Sequence, residues 1–450
     1  MIHLFEDTIT AIATPFGKGG VAIIRISGSQ SFDIATQLID RKPLARQALF
    51  TPFYDAHQDI IDSGICLYFK APHSYTGEDV IEIQGHGGVV VINMLLKRIT
   101  SLGARIAQPG EFTERAFLNN KLDLTQAEAI ADIIESTTEH SVRSAQRSLQ
   151  GVFSKLIDEL VNELTELRIF IEAAIDFVDE EIDFLNDGII EQRIKSLMEQ
   201  ITTLLSNAKT GQLLRDGIAI VLVGKPNAGK SSLLNCLTGQ DTAIVTDIAG
   251  TTRDVLKEYI QLDGLPLHII DTAGIHESDN LIEKEGIRRA HHEIKQADKV
   301  LIIHDVRDKK GLDDFIEQLD IRPDNLVVIF NKIDLNNESA KVLNHDSGDQ
   351  IFLSIKTGEG LDLLKNYLKK SVGYNENQEA VFIARQRHVN ALSEALTAIR
   401  TGLMQLQEHQ AAEIVAEELR LAQNHLGEIT GKISSDDLLG KIFSSFCIGK

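Results

Sequence analysis

Three rhythms of apolar and polar residues divide the chain. Over the first ~120 residues they are short and mixed, the texture of an α+β domain. Val21 to Ile26 reads as a strand, entered through Gly17-Lys18-Gly19-Gly20 and closed by Ser27-Gly28. Val80-Ile81-Glu82-Ile83-Gln84 alternates, placing Glu82 and Gln84 on one face and two isoleucines on the other. Gly85-His86-Gly87-Gly88 then predicts a tight turn into a helix near Val89 to Ile99.

From Thr125 the period becomes helical, opened by a capping-box pattern of Thr125 with Glu128. Leu156, Leu160, Leu164, Leu167 and Ile171 recur every three or four positions, as do Ile194, Leu197, Ile201 and Leu204. The helical period returns after about Ser371 with Val389, Leu392, Leu396, Ile399 and Leu403, then Ile414 to Leu426 and Asp436 to Phe446. Between these blocks lie four apolar runs that read as buried strands: Ile218 to Val223, Leu267 to Ile270, Leu326 to Phe330 and Ile351 to Leu353. Two helical blocks flanking a compact segment predict one helical domain interrupted by the insertion of another, which close domain termini make easy.

Each buried run is followed by chemistry. Behind the first stands Gly224-Lys225-Pro226-Asn227-Ala228-Gly229-Lys230-Ser231, then Ser232 and a helix marked by Leu233, Leu234 and Leu237 that Gly239 is placed to end. This is a phosphate-binding loop: its glycines let backbone N–H groups close around phosphates, and the helix N-terminus adds partial positive charge. Lys230 reaches the β- and γ-phosphates and the Ser231 hydroxyl takes a position on Mg²⁺. Asp271-Thr272-Ala273-Gly274 follows the second run, where a carboxylate orients the water shell of Mg²⁺ and the Gly274 N–H meets the γ-phosphate. Asn331-Lys332-Ile333-Asp334 follows the third; its carboxylate accepts two hydrogens that guanine offers and adenine does not. Ser354-Ile355-Lys356, after the fourth, backs the base. Any one of these strings is weak evidence; four in order, each behind a strand, specify a guanine-nucleotide-binding domain.

Between the first two motifs lies Thr246-Asp247-Ile248-Ala249-Gly250-Thr251-Thr252-Arg253-Asp254, a switch segment in which Thr252, or else Thr251, completes the Mg²⁺ shell. A Ras-like enzyme would place a water-orienting glutamine after the D-x-x-G motif, but this chain has Ile275 there. Glu277, Asp279, Glu283 and Glu285 are the acidic candidates to replace it.

Composition narrows the rest. At 450 residues, 43% hydrophobic and 25% charged, the chain reads as a soluble globular protein of two to four domains. It has no 18-residue apolar run, and Met1 to Asp7 does not open a signal peptide. Cys66, Cys236 and Cys447 are widely separated, without metal-ligand spacing, which fits a reducing cytoplasm; Cys236 reads as core filling. A net charge of −21 does not point to nucleic acid, although a local basic patch would permit it. The acidic run Asp176-Phe177-Val178-Asp179-Glu180-Glu181-Ile182-Asp183 reads as a solvated helix end or loop.

Taken whole, the chain resembles the tRNA modification GTPase family called MnmE or TrmE. The resemblance is carried by Gly19 through Gly28, Gly77-Glu78-Asp79-Val80 through Gly88, and Pro109-Gly110-Glu111-Phe112-Thr113-Glu114-Arg115-Ala116-Phe117. The Asp247 to Asp254 switch and the terminal Cys447-Ile448-Gly449-Lys450 complete it. It implies a multidomain architecture. An α+β N-terminal folate-binding-like domain (residues 1–120) precedes an α-helical central domain in two parts (121–212 and 373–450), with a Ras-like α/β P-loop G domain (213–372) inserted.

The resemblance also gives work to residues that the bare reading left idle. Arg25, Glu82, Lys121 and Lys450 match positions that hold a 5-formyl-tetrahydrofolate-type ligand, and Cys447 is implicated in tRNA modification. It implies a homodimer whose G domains pair across the nucleotide, with K⁺ standing where other GTPases use an arginine finger. The matching K⁺ ligands are Asn227, Thr246, Ile248 and Thr251, and Glu283 matches the glutamate that positions the attacking water. It further implies an FAD-dependent partner of the GidA or MnmG type. With that partner the family installs an aminomethyl or carboxymethylaminomethyl group at C5 of a tRNA wobble uridine. One rival reading is a ribosome-assembly switch GTPase; such proteins usually add a basic RNA-binding module, which this acidic chain does not visibly carry. Another takes the N-terminal domain as a plain dimerisation module without ligand, leaving a self-activating GTPase.

Overall fold

The computed structural model describes residues 7–176, 188–238, 257–271, 292–308, 312–319, 321–336, 338–345, 347–374, 382–433, 436–444, 446 and 449. The chain forms two compact units. One takes Met1–Ala131, Ser148–Leu197 and Glu394–Lys450; the other takes Asp132–Arg147 and Met198–Ser393.

In the first unit β1 (Ile9–Ile12), β2 (Gly19–Ser27), β3 (Leu49–Tyr54), β4 (Ile60–Phe69), β5 (Val80–Gly87) and β6 (Arg105–Ile106) form one sheet in the order β3-β4-β5-β2-β1-β6. Neighbours are antiparallel except β1 with β6. The alternation read at 80–84 sorts the two faces. Ile24, Ile26, Ile81 and Ile83 point into a core closed by α1 (Ser31–Ile39) and α2 (Val89–Ser101), through Ile34, Leu38, Ile92, Leu95 and Ile99. The opposite face carries Arg25 and Glu82, which register directly across β2 and β5. Cys66 belongs to the core, and burial pushes its thiol up to about 12.

Two expectations need correction here. The strand does not stop at Gln84: β5 runs on to Gly87, and only Gly88 turns the chain into α2. The box that opens the helical region is not Thr125 with Glu128. In α4 (Leu124–Glu135) the Gln126 N–H donates to Asp123 Oδ1 at 2.9 Å while the Asp123 N–H donates to Gln126 Oε1 at 3.0 Å. This reciprocal box sits two residues earlier, because Thr125 is buried and bonds Ser154 across to α6 (Val152–Asp176). Before α4 stands α3 (Glu111–Leu118), and between α4 and α6 runs α5 (Glu139–Leu149).

The second unit holds β7 to β13 (Ile218–Val223, Lys257–Leu262, Leu265–Asp271, Lys299–Asp305, Leu326–Asn331, Lys341–Leu343 and Asp349–Phe352). They follow α7 (Ile189–Asp216), and the order across the sheet is β12-β13-β11-β10-β7-β9-β8. The strands from β13 to β9 are parallel, with antiparallel β8 and β12 on the edges. Continuous apolar runs fit because both faces are covered. Leu233 and Leu237 of α8 (Lys230–Thr238) with Leu364 and Leu368 lie on one side; Ile294, Ala297 and Leu319 lie on the other. The sheet's central carboxyl ends therefore collect every loop that follows a buried run, which is where open α/β sheets bind ligands.

Candidate functional site: a guanine-nucleotide pocket and a charged sheet face

The phosphate-binding loop leaves β7 at Val223 and enters α8 at Lys230. Asn227 takes a left-handed backbone, φ +61°, and Gly229 lies so close to the Asn331 side-chain amide that a Cβ would strike it. Lys230 Nζ donates to the Gly224 carbonyl at 2.5 Å, so the loop is closed by the lysine that phosphates would claim. Ser231 and Ser232 stand exposed on the first turn of α8, beside its free backbone N–H groups.

Asn331 joins the separate loops. Its Nδ2 donates to the Ala228 carbonyl at 2.8 Å, and its Oδ1 accepts from the Lys332 N–H at 2.8 Å and the Ile355 N–H at 3.1 Å. One buried amide thus ties the phosphate loop, the end of β11 and the Ser354-Ile355-Lys356 loop into a single frame. Lys332, at φ +70°, donates through Nζ to the Asn227 carbonyl at 3.0 Å. Ser354 Oγ donates to Asp334 Oδ1 at 2.7 Å, so the carboxylate is fixed through one oxygen and can present the other. Lys356 is exposed, and Cys236 Sγ donates to the Ile355 carbonyl at 3.8 Å from within the packing around α8. Asp271 closes β9 at the same sheet end.

Two neighbours of this frame escaped the sequence reading. Asp305, at the end of β10, accepts from Lys332 Nζ at 2.8 Å and from Arg307 Nε and Nη2 at 2.9 and 2.7 Å. The Arg307 bond is the main cause that holds its carboxyl well below the usual range; partial burial opposes and Lys332 adds to it. Asp308 binds Lys225 of the phosphate loop at 2.8 Å. For Asp305, an aspartate closing a mostly apolar run was the available signal; Asp308, three residues on, carried none.

On the sheet of the first unit, Arg25 donates through Nε and Nη2 to Glu82 Oε1 at 3.0 and 2.8 Å. The guanidinium lies 5.4 Å from the Tyr75 ring centre and 5.8 Å from that of Phe112, and Nη1 reaches the Gly449 carbonyl at 3.5 Å. Lys121 is brought to the same loop, not to Arg25 itself: its Nζ donates to the Pro72 carbonyl at 3.0 Å and its stem packs on Gly77. Behind this face Arg115 is fully buried and binds Asp7 at 2.7 Å, Glu111 at 3.0 Å and Glu78 at 3.2 Å. The Glu111/Arg115 spacing of four on a helix was the legible part of that cluster.

Several expected residues lie outside the described residues: Thr246, Asp247, Ile248, Ala249, Gly250, Thr251, Thr252, Thr272, Ala273, Gly274, Ile275, Glu283, Cys447 and Lys450. The acidic run beyond Asp176 does too. Among the described residues no group of three or more His, Cys, Asp or Glu could hold a metal ion, and no helix is long and apolar enough to cross a membrane.

Comparison with known proteins gives this geometry a lineage. Residues 8–121 match the family model of the GTP-binding protein TrmE N-terminus, and residues 124–447 match that of the MnmE helical domain. The tRNA modification GTPase MnmE of Erwinia tasmaniensis is 54% identical over 454 residues, covering 99% of both chains. Its namesake in Histophilus somni (strain 129Pt) is 53% identical over 451 residues, covering 99% of this chain and 100% of that one. Among solved structures, the G domain of the T. maritima FeoB iron transporter is 26% identical over 34% of this chain and 98% of its own, with a TM-score of 0.27. Era in complex with MgGDPNP and ribosomal RNA is 25% identical over 40% of this chain and 66% of its own, with a TM-score of 0.28. With relatives matched from end to end at more than half identity, the chain belongs to the MnmE (TrmE) family of tRNA modification GTPases.

Proposed function

We propose that the protein hydrolyses GTP to GDP and phosphate in a K⁺-dependent manner and couples this to the modification of a tRNA wobble uridine at C5. The observation that carries the reading is the frame around Asn331, which fixes the phosphate loop and both base-recognition loops at one sheet end. On binding, the phosphates replace Gly224 as the partner of Lys230, and Asp334 reads the guanine N–H groups while Ser354 holds its other oxygen. Ser231, with Thr252, would hold Mg²⁺. The Asn227 carbonyl is taken by Lys332, so the exposed side-chain amide is the part of Asn227 able to reach a cation. That donor fits K⁺, with Thr246, Ile248 and Thr251 as the other ligands, and a cation there supplies charge compensation at the β–γ bridge. Glu283 is assigned to positioning the attacking water.

For the N-terminal domain the reading is a 5-formyl-tetrahydrofolate-type cofactor held by Arg25, Glu82, Lys121 and Lys450. The donor set fits: a carboxylate to accept from pterin N–H groups, a guanidinium beside it, and two aromatic rings fixing that guanidinium. The functional division is 1–120, 121–212, 213–372 and 373–450. The working assembly is a cytoplasmic homodimer with an FAD-dependent partner of the MnmG type, which would provide much of the tRNA-binding surface beside an acidic chain of net charge −21.

The test is GTP turnover in K⁺ and in Na⁺ at equal ionic strength over a range of protein concentration. Selective stimulation by K⁺, lost in Asn227→Ala, is the expected result. Equal rates in both salts would sink the potassium mechanism and return the ribosome-assembly switch to first place.

A further inference from the structure

The sheet face that carries Arg25 and Glu82 does not end with them. Along β5, Glu82, Gln84 and His86 share that face while Ile81 and Ile83 enter the core. At roughly 3.3 Å per residue, about 13 Å separates Glu82 from His86. Past Glu82 in the other direction, the next residue of β5 on that face is the buried Val80. A ligand anchored on Arg25 and Glu82, and longer than one ring system, is therefore steered toward Gln84 and His86.

What stands there is built. The His86 ring is 74% exposed, whereas the Asp62 carboxylate beneath it is 9% exposed. Asp62 Oδ1 lies 2.7 Å from His86 Nδ1, and Oδ2 accepts the His86 backbone N–H at 2.8 Å. The Ser63 N–H also donates to Oδ1 at 2.8 Å. Burial pushes the Asp62 carboxyl up, but the bonds from His86 and Ser63 outweigh it and hold the group below its ordinary value. The glycines on either side have their reason here. A Cβ at Gly85 would stand 2.6 Å from Asp62 Oδ2, and one at Gly87 would stand 2.5 Å from the Gly19 carbonyl. The segment expected to be a turn is instead a strand whose missing side chains let a carboxylate slide beneath an exposed imidazole. With Nδ1 held against Asp62 Oδ1, Nε2 is the ring nitrogen left to face a ligand.

We propose that the Asp62–His86 pair is a second subsite of this face, where the exposed edge of the His86 ring meets the carboxylate-bearing tail of a folate-class ligand whose ring system sits at Arg25 and Glu82. This rests on the folate reading of the N-terminal domain. The experiment is calorimetric titration of the full-length protein with 5-formyltetrahydrofolate and with a 5-formyltetrahydropterin that lacks the aminobenzoyl-glutamate tail. His86→Ala and Asp62→Asn should weaken the tailed ligand about tenfold, leave the tailless one unchanged, and so close the gap between them. His86→Lys, which places a donor able to meet a carboxylate at the same position, should recover the tailed ligand, a rescue that a merely structural role would not give. Unchanged affinity of His86→Ala for both ligands, or an equal loss for both, overturns the subsite. If the unaltered protein binds neither ligand, or binds both undiminished after Arg25→Ala, the folate reading itself fails and takes the subsite with it.

Discussion

Lys332 is placed by two partners of different kinds: the Asn227 carbonyl fixes its position, and Asp305 supplies its counter-charge. Asp305 in turn is clamped by Arg307 through two bonds, so the lysine leans on a carboxylate that cannot easily turn away. Asp305→Asn keeps the shape and removes the charge. We expect GDP affinity, read with a fluorescent analogue, to fall about three- to tenfold. The pH dependence follows from the direction of the Asp305 shift. Its folded-state value is depressed, chiefly by Arg307, so its contribution to stability is fully present above the ordinary carboxylate value of about 3.9 and is lost as pH falls through the depressed one. The melting-temperature gap between the native protein and Asp305→Asn should therefore stay constant from about pH 8 to pH 5 and shrink only below about pH 4. A gap that already closes between pH 7 and 5 would assign the effect to another group.

At the scale of elements the chain shows what periodicity can and cannot reach. The strand behind each nucleotide motif was legible because parallel strands buried on both faces leave unbroken apolar runs. The start of α4 was misplaced by two residues, since Thr125 and Glu128 match the capping pattern as well as Asp123 and Gln126 do. The Thr125 hydroxyl is instead engaged by Asp123 Oδ1 at 2.7 Å and by Ser154 across to α6, which removes the threonine from the role. Asp123→Ala should accordingly cost about 1 kcal/mol in denaturant unfolding. Restoring Asn at the position should return most of it; no loss with alanine would reinstate the box at Thr125. The glycines of β5 were misread for a similar reason. Glycine in a strand also signals close approach, and what approaches is distant in sequence: Asp62 of β4 at Gly85, 23 residues away, and the Gly19 carbonyl at Gly87. Arg115 and its three carboxylates were equally out of reach, because Asp7 and Glu78 join Glu111 only once the sheet has formed.

Over the whole molecule, one hydrogen bond joins the two ends of the chain at the charged sheet face. Arg25 meets Gly449 across 424 positions, and Gly110, in the segment that opens the helix after β6, packs against Phe443 and Phe446. Phe443 and Phe446 are buried with Leu124 and Ala127, so the end of the chain is seated by an apolar cluster before its last residues reach β1 and β2. Gly449 thereby lies against β1 at Ile12 and accepts from the Arg25 guanidinium. Gly449 has φ +96° and no room for a Cβ against Ile12. Gly449→Val should therefore unseat the tail while leaving the Arg25–Glu82 pair and the sheet intact. The expected outcome is a fall of about tenfold in 5-formyltetrahydrofolate affinity with GDP affinity unchanged, because the nucleotide frame is closed by Asn331, Lys332 and Ser354 within their own unit. Folate affinity equal to that of the native protein would show that the tail docks without serving the ligand. A parallel loss of GDP affinity would mean instead that the chain's end also supports the nucleotide site.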